Sequence, residues 1–173
     1  MQRGLFVGRF QPFHKGHLQD VKDALKEVDE LIIAIGSSKE KGTRDNPFSA
    51  AERRDMIVQV LAEEKIRKCT IMEIPDFHDD EKWVRFIEEN FPKIDIAYTG
   101  NEWTEKCFKK KGCKVKKVNI LENISSTTIR NRMLSGKNWR ELVPADVAEY
   151  IDRIKGVERI KFISKNYEDG FSN

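Results

Sequence analysis

Histidine is scarce in this 173-residue chain, with three copies, and cysteine is equally scarce. Cys69, Cys107 and Cys113 are odd in number and contain no CxxC pair. Neither a disulfide framework nor a zinc knuckle is favoured, and a reducing compartment fits. Long apolar runs are missing too. None approaches the ~18 residues of a membrane span, and the N-terminus has no basic stretch leading into a long apolar one. The expectation is a soluble, cytoplasmic protein with no membrane partner. An excess of either charge is also lacking: 32 basic residues stand against 29 acidic ones, a net charge of +3. That balance is far from a dedicated nucleic-acid coat and leaves small anions as plausible ligands. Charged residues still make up 35% of the chain, against roughly 25% in an average globular protein, and Lys, Glu and Arg enrichment is one signature of heat-adapted proteins.

What is present is a regular alternation of strand and helix patterns. "GLFVG" (4–8) is a short apolar run ended by glycine, and "HLQDVKDALKEV" follows with Leu18, Val21, Leu25 and Val28 at helical spacing. "LIIAIG" (31–36) reads as a second strand. Ser49 with Glu52 three residues later is a capping-box signature for a helix carrying Ile57, Val60 and Leu61. "CTIMEI" (69–74), "IDIAYTG" and "KVKKVNI" (114–120) read as further strands, with "DEKWVRFIEEN" and "EWTEKCFKKK" as the helices between them. Apolar strands separated by helices predict a doubly wound α/β domain, a Rossmann-like parallel sheet of five or slightly more strands with helices on both faces. The length suits one domain, assigned to 1–165 with C-terminal helices, followed by a flexible tail over 166–173.

Ligands of such sheets sit outside the carboxyl ends of the strands. The loop after the first strand, "GRFQPFHKGH", spends two of the three histidines within four residues. Gly8 permits close backbone approach, and Gly16 sits where the next helix begins, so free amides and a positive dipole end face the loop. Arg9, His14 and His17 add donors suited to phosphate. The loop is neither GxxxxGK[ST] nor GxGxxG. Metal ligation by His14 and His17 is a competing reading, but the segment holds no Cys, Asp or Glu to complete a site, and His78 is the only other histidine. A purely structural capping role competes as well. The second anchor is "ISSTTIRNRM" (124–133), where Ser125 or Ser126 can cap a helix with Ile129 and Met133 inward and Arg130 and Arg132 on its first turns. Two helix N-termini with phosphate chemistry at one sheet edge suggest a polyphosphate stretched between them.

"GRFQPFHKGH" together with "ISSTTIRNRM" resembles the nucleotidyltransferase superfamily marked by an HxGH loop and an ISSTxxR segment. With "TRDNPFSAAERRDM", "YTGN" and "WRELVPADVAEYIDRIKGVERIK" added, nearly the whole chain resembles the archaeal nicotinamide-nucleotide adenylyltransferases. A second serine, Ser126, and Asn131 are minor departures. The resemblance implies an enzyme that joins ATP and nicotinamide mononucleotide (NMN) into NAD and pyrophosphate with Mg²⁺ assisting, and no metal ligands from protein side chains. It implies an ATP site of Gly8, Arg9, Phe10, His14, Gly16, His17, Ser125, Ser126, Thr127 and Arg130. In it His14 and His17 hold the α- and β-phosphates, Arg9 and Arg130 grip the β/γ end, and Ser126 and Thr127 cap the γ-phosphate. For NMN it implies Arg44 near the phosphates; beside it, Phe48 is a candidate ring contact, Trp83 on the helix after strand three a candidate to stack on nicotinamide, and Gly100 and Asn101 candidates to lie beside the bases or ribose. Trp83, Phe86 and Ile87 equally make a core stripe, and Asn101 equally suits a turn. Archaeal relatives imply a homo-oligomer, a hexamer.

Two rivals remain at the level of sequence. One keeps the fold and changes the acceptor to phosphopantetheine, FMN or a phosphorylated alcohol. The other is a nucleic-acid-binding regulator using the Lys-rich segment 106–117. Lysines on an edge strand, however, also serve to block edge-to-edge pairing, so the expectation is no nucleic-acid partner.

Overall fold

A computed structural model of the chain describes residues 1–77, 79–118 and 123–169, the last three of these by backbone only. The alternation resolves into β1 (Arg3–Gly8), α1 (Lys15–Ala24), β2 (Glu30–Ile35), α2 (Ala50–Glu63), β3 (Cys69–Glu73), α3 (Asp80–Asn90), β4 (Ile96–Thr99), α4 (Glu102–Lys110) and β5 (Lys114–Lys117). After them come α5 (Ser126–Ser135), a 3₁₀ turn over Arg140–Leu142, α6 (Ala145–Arg153) and α7 (Gly156–Asp169). The strands form one five-stranded sheet in the order β3-β2-β1-β4-β5, and every pairing is parallel. The chain reverses direction across the sheet between β1 and β4, which opens a crevice above their carboxyl ends.

Each face of the sheet has its own apolar layer. On one face, Leu18 and Val21 of α1, Met56 and Ile57 of α2, Ile129 of α5 and Ile151 of α6 cover Phe6, Ile33 and Ile35. On the other, Trp83, Val84 and Ile87 of α3 join Cys107 and Phe108 of α4 over Leu5, Ile32, Ala34 and Ala97. Strands buried on both faces explain the unbroken Leu-Ile-Ile-Ala-Ile run of β2.

Ser49 and Glu52 form the reciprocal capping box read from sequence. The first helix differs from its reading. It starts two residues earlier, at Lys15, and stops at Ala24, because the chain then tightens into three-residue bonds, Lys26 N–H to the Asp23 carbonyl and Glu27 N–H to that of Ala24. The last helix continues to Asp169, through residues assigned by sequence to the tail. His78, the end of the fifth strand pattern at 119–120 and residues 170–173 lie outside the described residues. β5 is an edge strand, and the lysine run around it is partly matched by acids: Lys109 and Lys117 pair with Glu105, Lys111 with Glu88 and Lys116 with Glu27. No helix among the described residues is long and apolar enough to cross a membrane.

Gly4 shows how closely the central strand is packed, since a Cβ there would lie 2.9 Å from both Leu31 Cδ1 and Tyr98 Cε2. Those side chains lean over β1 from its two neighbours. Gly4→Ala is expected to cost about 1–3 kcal/mol through overpacking, read as a lower urea midpoint with an unchanged m-value.

Candidate active site

The first loop closes on itself through its histidines. His14 is the N-cap of α1, and its Nδ1 accepts from the His17 amide, while His17 Nδ1 accepts from the His14 amide, both at 3.3 Å. The two rings stack with centroids 3.4 Å apart. A ring nitrogen that accepts from an amide carries no proton, so each imidazole is neutral, with its one hydrogen on Nε2. Burial pushes the His14 pKa down to about 4, and burial followed by the neighbouring His14 pushes that of His17 well below its ordinary value. His17 stands among three phenyl rings, Phe6, Phe10 and Phe13, at centroid distances of 6.0, 4.9 and 5.4 Å. Capping and ligand binding are therefore not exclusive here, because Nδ1 serves the helix and Nε2–H is left as a donor. The cap also leaves the amides of Lys15 and Gly16 without a protein partner among the described residues.

Phe10 supports this loop from below. Its ring is buried and folds over Gly8, where a Cβ would come within 2.7 Å of it, and its own backbone is held at φ 52°. Non-glycine residues rarely adopt that conformation, and the buried ring holds it in place. Gln11, 1% exposed, pairs with the backbone of Phe48: its Nε2 donates to the carbonyl and its Oε1 accepts from the amide.

The ISSTxxR helix docks directly on this loop. Ser125 is the N-cap of α5, accepting from the Thr128 amide at 3.0 Å. Ser126 instead donates its hydroxyl to the Pro12 carbonyl at 3.0 Å, and Arg130 Nη1 donates to the Gln11 carbonyl at 2.9 Å. Among the described residues the amides of Ser126 and Thr127 have no partner, at a second helix N-terminus beside the first. Arg130 is 6% exposed, with Nη2 3.5 Å from Asp45 and from Thr127 Oγ1. Burial lowers its pKa; Asp45 opposes this, and Arg9 and Arg44 add to it. Two further guanidiniums therefore act on Arg130, against the one carboxylate of Asp45. Arg44, Asp45, Thr127 and Arg130 line a cleft of about 420 Å³ that reaches Leu134 of α5 and Ile160 and Ile163 of α7. Among the described residues no cluster of three or more His, Cys, Asp and Glu side chains could hold a metal ion.

The structure thus brings Gly8, Arg9, His14, Gly16, His17, Ser126, Thr127 and Arg130 to one sheet edge, with Ser125 as the cap behind them and Arg44 across the cleft. Several other residues read from sequence have different places. The rings of Phe10 and Phe48 are buried in the core, and the Phe48 amide and carbonyl are both taken by Gln11. Trp83 is 5% exposed and meets Trp103 edge-on at 5.0 Å, so Trp103, 39% exposed with its Nε1 donating to Asp80 at 2.7 Å, presents the open indole. Asn101 caps α4, accepting from the Thr104 amide. Gly100 lies under Val118, whose Cγ2 a Cβ would approach to 3.1 Å. Sequence reasoning missed Gln11, Trp103 and Arg53. Arg53 shares the α2 stripe of Ile57, Val60 and Leu61, and an arginine on an apolar stripe was the available signal.

Residues 5–132 match the cytidylyltransferase-like family. The chain is 41% identical over 173 residues to a nicotinamide-nucleotide adenylyltransferase from Pyrococcus furiosus, covering 97% of this chain and 92% of that one. It is 42% identical over 170 residues to the enzyme of the same name from Thermococcus sibiricus. The counterpart from Methanococcus maripaludis is 41% identical, with 96% of this chain and 99% of that one covered. Among solved structures, the fold is similar to a bifunctional NMN adenylyltransferase/ADP ribose pyrophosphatase from Francisella tularensis complexed with AMP and a manganese ion, at a TM-score of 0.76 and 24% identity. The present chain spans about half of that one, covering 53% of it. Identity of about 40% over almost the full length, on top of an HxGH loop and an ISSTxxR helix that meet at one sheet edge, makes this chain a member of the nicotinamide-nucleotide adenylyltransferases.

Proposed function

We propose that the chain joins ATP and NMN into NAD and pyrophosphate by direct in-line attack. An oxygen of the NMN phosphate forms a bond to the α-phosphorus of ATP, the bond from that phosphorus to the bridging oxygen of the β-phosphate breaks, and pyrophosphate leaves with the electron pair. No protein nucleophile takes part. The observation that supports this best is the junction of two helix N-termini, which gathers free amides at Lys15, Gly16, Ser126 and Thr127 with the Nε2–H groups of His14 and His17 and with Arg9, Arg44 and Arg130.

Positioning alone can supply ~7–11 kcal/mol of the barrier. Donors aimed at charge that grows on phosphoryl oxygens add ~3–4 kcal/mol each by analogy with oxyanion-hole deletions. In our assignment His14 and His17 serve the α- and β-phosphates as neutral donors, Arg9 and Arg130 the β/γ end, and Ser126 and Thr127 the γ-phosphate through their amides. Ser125 sets the helix that carries them. A divalent cation, Mg²⁺ in our reading, would neutralise phosphate charge when bound. Its ligands would be phosphate oxygens and water, as suits a site without a carboxylate cage. For the acceptor we assign Arg44 to the NMN phosphate and the β4 loop, Gly100 and Asn101, with the Trp83–Trp103 pair, to the nucleoside. A cationic pyridinium is attracted to an indole face.

Incubation with ATP, Mg²⁺ and one acceptor at a time, followed by pyrophosphate release, tests the reading. NMN is expected to support turnover; exclusive turnover of phosphopantetheine, FMN or a phosphorylated alcohol would reject it. His17→Ala is expected to lower kcat more than about tenfold while cooperative unfolding persists, with about 1 kcal/mol of stability lost with its hydrogen bond to the His14 amide; unchanged kcat would remove His17 from the transfer step. The pH dependence of stability has a defined sign. The unfolded chain takes up a proton at His14 near pH 6.5 and the native chain only near 4, so the neutral form's contribution is complete above 6.5 and fades as pH falls towards 4. It amounts to about 3 kcal/mol. His14→Asn keeps a cap acceptor without a titrating ring, and its denaturation midpoints should fall less steeply over that window than those of the parent protein.

A further inference from the structure

Among the described residues Arg53 is the largest fully buried side chain, and the transfer chemistry described above does not use it. It sits at the start of α2 and donates to four backbone carbonyls on three segments. Nε reaches Ser49 at 3.2 Å, Nη1 reaches Arg9 at 2.8 Å and Gly36 at 2.7 Å, and Nη2 reaches Ser37 at 2.9 Å. Among the described residues it makes no ion pair, although Glu73, Asp76 and Glu52 act on it from a distance. Burial lowers its pKa to about 10. A buried cation without a bonded carboxylate is costly, and a neutral donor or an apolar side chain would serve a simple tether at lower cost.

The carbonyls it holds explain why a cation is kept. In a parallel sheet the last carbonyls of each strand run out of ladder partners and turn their negative ends toward the crevice. Gly36 and Ser37 follow β2, and Arg9 follows β1. Without Arg53, a polyphosphate arriving at that edge would meet the bare carbonyl oxygens of Arg9 and Gly36 and that of Ser37, held by the Glu40 amide alone. The planar fork of one guanidinium occupies all three and adds a positive charge beneath the cleft, and the single ammonium of lysine cannot reproduce that geometry.

We propose that Arg53 is a positioning residue for the triphosphate: it masks the carbonyl ends of β1 and β2 and holds the loop from which the Arg9 side chain reaches the phosphates. This rests on the assignment of an ATP site, but not on the identity of the acceptor, because equilibrium binding of ATP alone can test it. ATP affinity by isothermal titration, melting temperature, and kcat and KM with NMN are measured for Arg53→Lys, Arg9→Ala and the double variant, at a temperature well below every melting point.

The expected result for Arg53→Lys is a loss of ATP affinity of about tenfold that is largely absent when Arg9 has already been removed, since residues acting through one another are not additive. A lower melting temperature with unchanged ATP affinity overturns the proposal, and so does full additivity with Arg9→Ala. If Arg53→Lys does not fold, the same titration is made on Arg53→Ala with methylguanidinium added. Affinity restored by the added fork supports the proposal, whereas refolding without restored affinity, or failure of both variants to fold, makes Arg53 a folding residue and overturns it. Loss of ATP binding in the parent protein would instead sink the function assigned above.

Discussion

Two hydrogen bonds across more than a hundred residues of chain set the rest of the site. Ser126 reaches the Pro12 carbonyl over a separation of 114 residues, and Arg130 reaches the Gln11 carbonyl over 119. Without them the HxGH loop and the ISSTxxR helix would be two ordinary helix starts on one sheet edge. With them, the start of α5 is held against the loop that leads into α1. The sheet permits this because β1 is central and the strand order reverses beside it, which opens a crevice at the carboxyl ends of the strands.

The same docking places cations where acids are few. Arg130 is buried with Asp45 at 3.5 Å as its ion-pair partner, Arg9 and Arg44 oppose its charge, and Arg53 lies beneath with carbonyls in place of carboxylates. Such an arrangement is costly in the free protein and is relieved by an anion. Stability given up here is recovered in apolar layers on both sheet faces and in the phenyl rings around His17. Those rings also explain how a histidine so near solvent stays neutral: exclusion of water disfavours its charged form.

Much of the fold was legible in sequence because its signals are local. Short runs rich in apolar residues, separated by helical patterns, marked all five strands, and Ser49 with Glu52 announced a helix start found where expected. The two loops of the candidate site were legible for the same reason, since a cap and a glycine act within a few residues. What sequence hid depends on segments meeting in space. Gln11 finds the Phe48 backbone 37 residues away, and Arg53 joins three segments. Phe10, Phe48 and Trp83 read equally well as ligand rings or core, and burial decides the matter for their rings. Trp103 is one residue of a polar helix start, and only its place beside Trp83 distinguishes it.

The central claim is that one triphosphate spans the two helix starts. A crystal structure with a non-hydrolysable ATP analogue tests it most directly. The account predicts an α-phosphate oxygen within hydrogen-bond distance of Nε2 of His14 or His17, and β/γ oxygens on Arg9, Arg130 and the amides of Ser126 and Thr127. Phosphates bound away from both helix starts, or imidazoles turned so that Nε2 faces the phenyl rings, would contradict it.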